Sequence, residues 1–151
     1  MKRPTLRTRT FPSVENVLGG KGVLGAKPRS SLDWVGIIRE GIPAAAVESI
    51  VSAAHLSRAE LAQALGIPER TLARRRREGL LNSDESSKLL RLARAISRAS
   101  EVFDDPAAAV DWLKSPNAAL RGNPPLRLFD TDIAAECVLD ALGRIEHGVF
   151  A

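Results

Sequence analysis

The stretch Ser57–Gly79, SRAELAQALGIPERTLARRRREG, decides how the chain is read. Ser57 stands before an apolar run with Glu60 three residues on. That is the pattern of a capping box, in which a hydroxyl and a carboxylate satisfy each other's backbone amides. Leu61, Ala62 and Leu65 share one helical face. Gly66 supplies the positive φ that lets a chain leave one helix and enter another within a few residues. Pro68 suits the first turn of the next helix, Leu72 points back into the core, and Gly79 ends the segment. Two short helices on a tight turn form a helix-turn-helix, whose second helix lies in the major groove of DNA.

Four consecutive arginines, Arg74–Arg77, go all the way round that second helix, so they cannot all face one ligand. Arg70, Arg74 and Arg77 share an exposed face by the i, i+3 and i+4 rule. With Thr71 they are the expected DNA-binding residues. Arg75 and Arg76 flank the Leu72 side and are expected to touch phosphates or lay their stems on the core. Helical hairpins with a merely solvated basic face share this pattern. A single module binds weakly, so a homodimer on an inverted repeat of operator DNA is the natural arrangement.

Towards the N-terminus, residues 1–30 read as a basic arm and linker. Lys2, Arg3, Arg7 and Arg9 show no periodicity, Ser13 caps a short helix ending at Gly19-Gly20, and Pro28–Ser31 reads as linker. Gly-Gly-Lys-Gly at 19–22 lacks the spacing of a phosphate loop. An amphipathic helix follows over 33–40, with Trp34, Ile37 and Ile38 apolar. Pro43 then opens a helix to His55 with Val47, Ile50, Val51 and Ala54 on one face.

Towards the C-terminus, Ser83 is the expected cap of a helix reaching Phe103, roughly 30 Å long. A helix of that length either bridges two lobes or lines a dimer interface. Asp105-Pro106 opens a helix to Lys114 that should largely bury Trp112. Ser115-Pro116 starts a short segment to Leu120, and 121–125 form a Gly/Pro loop. Thr131 caps a last helix to about His147, with Cys137, Val138, Ala141, Leu142 and Ile145 inward. No segment alternates at period two, so the fold class is all-α: a helix-turn-helix bundle over 31–104, including the long helix, and a small helical domain over 105–151.

Composition agrees: apolar content is 44% and aromatic content 4%, with Ala and Leu dominant, which favours helix. Charge is uneven, +6 over residues 1–30, +1 over 31–82 and −3 over 83–151. A basic front and an acidic back suggest nucleic acid at one end and a different partner at the other. One cysteine, Cys137, builds neither disulfide framework nor zinc site and is expected to be a small core residue. With no secretory signal and no run of 18 apolar residues, the expectation is a cytoplasmic protein outside the membrane. Glu146 and His147 are sequence neighbours that point apart on a helix. No nucleophile–base spacing, metal-ligand set or cofactor motif is visible, so no catalytic role, metal or cofactor is expected. The apolar ending Val149-Phe150-Ala151 reads as a segment that docks into something.

The pieces LDWVGIIREGIP, SRAELAQALGIPERTL, RLARA, VFDDPAAAVDWLKSPNAAL, PLRLFDT and LGRIEHGVF resemble antitoxins of the Xre/MbcA/ParS type. The resemblance covers residues 14–150. It is most specific at Trp-Leu-x-x-Pro-Asn (112–117) and at the terminal Gly-Arg-Ile-Glu-His-Gly-Val-Phe. It implies a helix-turn-helix followed by a C-terminal toxin-binding domain. The implied partner is a RES-domain toxin that destroys NAD or transfers its ADP-ribose. In that family the antitoxin's C-terminal region covers the toxin's NAD pocket, and the operon's own promoter is bound. Carried over by position, Arg144, Glu146, His147, Gly148, Val149 and Phe150 would face the toxin, while Trp112 and Asn117 shape the domain that presents them. Two departures stand out: Arg121-Gly122 where the family often has Gly-Gly, and Arg76 where it often has an apolar residue. The competing reading is a stand-alone helix-turn-helix transcription regulator with a dimerisation or ligand-sensing C-terminal lobe.

Overall fold

A computed structural model of the chain describes residues 13–148. The basic residues expected to form an arm at 1–9 and the apolar ending at 149–151, including Val149 and Phe150, lie outside the described residues. Nine α-helices follow one another among the described residues, α1 Val14–Val17, α2 Lys21–Leu24, α3 Ser31–Glu40, α4 Ala45–Ala53, α5 Arg58–Leu65, α6 Glu69–Glu78, α7 Ser83–Phe103, α8 Pro106–Lys114 and α9 Asp132–Glu146. Short 3-10 turns at Ala118–Leu120 and Pro125–Leu128 connect α8 to α9. Two isolated antiparallel bridges, Pro43 with Leu80 and Asn117 with Asn123, are the extended pairings among the described residues.

Local chemistry sets most boundaries. Ser13, Ser30, Ser57, Asp105 and Thr131 each cap a helix through the side-chain oxygen, satisfying a first-turn amide that has no partner within the helix. Three boundaries differ from those expected of the sequence. Ser30 belongs to a cap and Ser31 to α3, not to a linker. The segment from Ser13 is two short helices, with Gly19 at φ +105 between them, where a Cβ would sit 2.4 Å from Val23 Cγ2. The cap of α7 is Asn82, not Ser83. The Asn82 carboxamide accepts from the Glu85 amide at 2.8 Å while Glu85 Oε1 accepts from the Asn82 amide at 2.9 Å, a complete capping box.

The long helix lies at the centre of the packing. Eleven of its residues are buried, among them Leu89, Leu92, Ala93, Ala95, Ile96 and Ala99. α1, α3, α5, α8 and α9 all pack on it. One apolar cluster runs from Val17 and Leu18 through Ile42, Leu61, Leu65 and Leu92 to Leu113, Phe129 and Leu142. Phe129 is fully buried at the end of the second 3-10 turn. Trp112 is half-buried and meets the Phe103 ring at 5.7 Å between centroids. Cys137 is exposed. α9 turns Ala135, Val138, Ala141 and Leu142 inward, and Cys137 falls just outside that stripe.

Candidate functional site

Two surfaces carry the candidate residues. The first is α6. Gly66 takes φ +63 and ψ +31 after α5, and its amide closes on the Ala62 and Gln63 carbonyls. Leu72 is buried and faces the core from α6, which fixes one side of the helix. The rest of its rotation is set by ion pairs. Arg75 Nε donates to Glu85 Oε1 at 2.7 Å and Arg75 Nη1 to Glu78 Oε2 at 2.9 Å. Hydrogen bonding to Glu85, then to Glu78, raises the Arg75 guanidinium above its ordinary range and holds it charged. Arg76 Nε pairs with Glu48 of α4 at 3.3 Å, a carboxylate that also receives Arg58 Nε at 3.1 Å.

Arg75 and Arg76 are thus both paired with carboxylates of the fold, Arg75 half-buried and Arg76 still exposed. Arg70, Arg74 and Arg77 are exposed, with Thr71 half-exposed between them. Arg74 keeps one weak partner on its own helix, Glu78 at 3.6 Å. Among the described residues neither Arg70 nor Arg77 is ion-paired. Arg75–Arg77 also fill the last turn of α6, where positive charge complements the free carbonyls and the helix dipole. Sequence reasoning missed Glu48 and Glu85 as partners. Each is far from the arginines in sequence, and the only local signal was the acidic first turn of α7.

The second surface is the end of α9. Arg144, Glu146, His147 and Gly148 are all exposed there, with Gly148 at φ +70. His147 closes the helix, its amide bonding the Gly143 and Ile145 carbonyls. Glu146 pairs with Arg98 of α7, which also holds Glu101 at 3.2 Å. α9 is thus tethered to α7 at its C-terminal end by Glu146 and at its N-terminal end by Asp132, which pairs with Arg91. The two surfaces are joined through the fold. Lys114 Nζ, at the end of α8, donates to the His55 carbonyl at 2.6 Å and lies 4.0 Å from Glu60 Oε2. The Gly66 turn rests on Asp130, where a Cβ on Gly66 would lie 3.1 Å from Asp130 Cβ. Among the described residues no group of His, Cys, Asp and Glu could hold a metal ion, and no helix is long and apolar enough to cross a membrane.

Residues 33–94 match the antitoxin Xre-like helix-turn-helix domain, and residues 98–148 match the antitoxin Xre/MbcA/ParS C-terminal toxin-binding domain. The antitoxin Xre of Yersinia enterocolitica is 35% identical over 116 residues, which span 76% of this chain and 78% of that protein. The chain belongs to the Xre antitoxin family. It is an antitoxin of a toxin–antitoxin system, with a helix-turn-helix domain and a toxin-binding domain. The antitoxin is also 27% identical over 132 residues to the Prs ADP-ribosylating antitoxin of Sphingobium sp., spanning 81% of this chain and 83% of that protein. In fold it is similar to a chain in the crystal structure of the M.tuberculosis MbcT-MbcA toxin-antitoxin complex. That likeness has a TM-score of 0.54 at 23% identity and covers 72% of this chain and 96% of that one.

Proposed function

We propose that the antitoxin works as a two-ended protein: α6 reads the promoter of its own operon, and the C-terminal region from Arg144 onward covers the NAD pocket of a RES-domain toxin that consumes NAD. Residues 31–104 serve the DNA and residues 105–151 the toxin, in a cytoplasmic, non-catalytic homodimer. The observation that carries the DNA half is the separation of the arginines. Glu85 and Glu48 draw Arg75 and Arg76 to the protein, which leaves Arg70, Arg74 and Arg77 with Thr71 on one outward face. An outward guanidinium can grip a phosphate or donate bidentately to a guanine edge.

The toxin half is supported by the placement of Arg144, Glu146, His147 and Gly148 at an exposed helix end within the toxin-binding match. A pocket for a dinucleotide is rich in donors for its phosphates. The acidic back half, with Glu146 on it, is complementary to such a pocket. Co-expression with the product of the neighbouring gene, followed by co-purification, tests partner and stoichiometry together. Deleting residues 144–151 is expected to abolish neutralisation while the helical fold persists. Full protection by the truncated protein, or a neighbouring gene with no toxic product, would favour the stand-alone regulator.

A further inference from the structure

Helix α6 carries two carboxylates, Glu69 in its first turn and Glu78 in its last. Glu78 is held by Arg74 and Arg75. Glu69 is exposed and, among the described residues, has neither an ion pair nor a hydrogen bond. Arg58 and Arg76 line the same small cleft as Glu69, yet both guanidinium groups turn to Glu48, at 3.1 and 3.3 Å. The direction of Glu69 follows from the helix. Leu72 is buried and Arg75 is bound to Glu85, which fixes the inner side of α6. Glu69, Arg70, Ala73, Arg74 and Arg77 fall on one arc of the opposite side, and all are exposed. A free carboxylate therefore opens the arginine face. Negative charge in a first turn is favoured by the helix dipole wherever it points. On a face that meets DNA, the phosphates oppose it unless a donor receives it.

We propose that Glu69 is a specificity-determining residue of this face: its carboxylate accepts a hydrogen bond from the N4 amino group of a cytosine in the major groove. The edges of the bases sort in this way. Guanine presents two acceptors there, and thymine a carbonyl and a methyl group, so neither satisfies a carboxylate. Adenine sets the N7 acceptor beside its amino group, whereas cytosine presents a donor alone. A carboxylate brought to the wrong edge loses water and gains no partner, which penalises that base. Residues at the N-terminal end of a recognition helix are those that reach base edges. Phosphate contacts by the arginines attract every duplex alike. Glu69 lowers that attraction everywhere except at its own base. The inference rests on the operator-binding reading of α6 and names one base that the face selects.

The test is selection of bound duplexes from a random-sequence DNA pool by the full chain. Fluorescence anisotropy then compares the selected duplex with versions changed at each single base pair. The wild type is expected to show a position at which cytosine binds about tenfold tighter than the other bases. Glu69→Ala is expected to lose that preference and to bind unselected duplexes more tightly. Glu69→Gln is expected to move the preference to adenine, whose N6 and N7 a carboxamide meets together. Circular dichroism should show wild-type helical content for both, since Glu69 makes no polar contact among the described residues. Should Glu69→Ala lose helix, the move to adenine in Glu69→Gln decides, and its absence overturns the proposal. A cytosine preference that survives Glu69→Ala overturns it too, as does an affinity shifted equally for every base. Either result leaves α6 as the DNA-binding helix. A wild type that selects no sequence would overturn the operator reading, and this inference with it.

Discussion

Arg75 Nε and the Asn82 backbone amide, 2.7 and 2.9 Å away, share one acceptor, Oε1 of Glu85. That carboxylate is 6% exposed, and it couples the rotation of α6 to the first turn of α7. The capping box and the orientation of the DNA-facing helix are therefore one structure. Replacing Asn82 with Ala removes only the cap and is expected to cost about 0.5–2 kcal/mol. Glu85→Ala removes the cap's second half and the nearer of Arg75's two carboxylate partners, so it is expected to cost more than Asn82→Ala. Urea midpoints at constant m-value check the order. Equal losses would mean that the Arg75 contact contributes nothing.

The arginines of α6 are expected to separate by role. Arg70→Ala and Arg74→Ala should weaken promoter binding by about 1–3 kcal/mol where the contact is a guanine edge, with little change in stability. A phosphate contact should instead lower the slope of affinity against salt. Arg76→Ala should change DNA affinity less, since its guanidinium is held by Glu48. Fluorescence anisotropy with promoter DNA over a salt series measures both. If Arg70→Ala and Arg74→Ala bind as wild type does, α6 presents a different face.

Gly66 carries two constraints at once. Its φ of +63 costs a non-glycine residue about 1–2 kcal/mol, and its missing Cβ leaves room for Asp130. Gly66→Ala is expected to destabilise by at least the backbone cost. Gly66→Asn should recover part of it, because asparagine tolerates the left-handed region. A difference in thermal midpoint between the two variants isolates the backbone share from the contact with Asp130.

Glu60 gives the stability an acid limb. Its carboxylate accepts the Ser57 amide at 3.0 Å, and that bond, with Lys114 nearby, holds its pKa below the ordinary 4.5. A depressed folded pKa means that the unfolded chain takes up the proton first. The contribution is complete above the ordinary value and is lost as pH falls below it through the lower folded one. Glu60→Gln is expected to narrow the stability gap between neutral pH and about pH 3 relative to wild type, by a modest amount because Glu60 is half-exposed and screened. Parallel pH profiles for the two proteins would remove Glu60 from the acid response.

Residues with a local task were legible in the sequence. Ser57 and Glu60, Gly66, Asp105-Pro106 and Thr131 act within four residues of themselves, and each does what its spacing implies. The same locality accounts for the errors. Ser83 and Asn82 both suit a cap, and the choice fell to Asn82, whose box partner Glu85 is also the anchor of Arg75. Cys137 stands next to Val138 in a plausible stripe, but the inward arc of α9 follows its neighbours, not the residue's own polarity.

The helices, their order and the helix-turn-helix were thus determined by the sequence alone, because caps, glycines and 3.6-residue periodicity are short-range chemistry. Only the tertiary structure decided what Arg75 and Arg76 pair with. Arg75 and Arg76 are chemically the same as Arg74 and Arg77. What separates them is Glu85 and Glu48, brought up from ten and 28 residues away when α7 and α4 pack around α6. It also decided that α7 is the centre of the core, since a helix's amphipathic stripe names one buried side and not how many neighbours close around it.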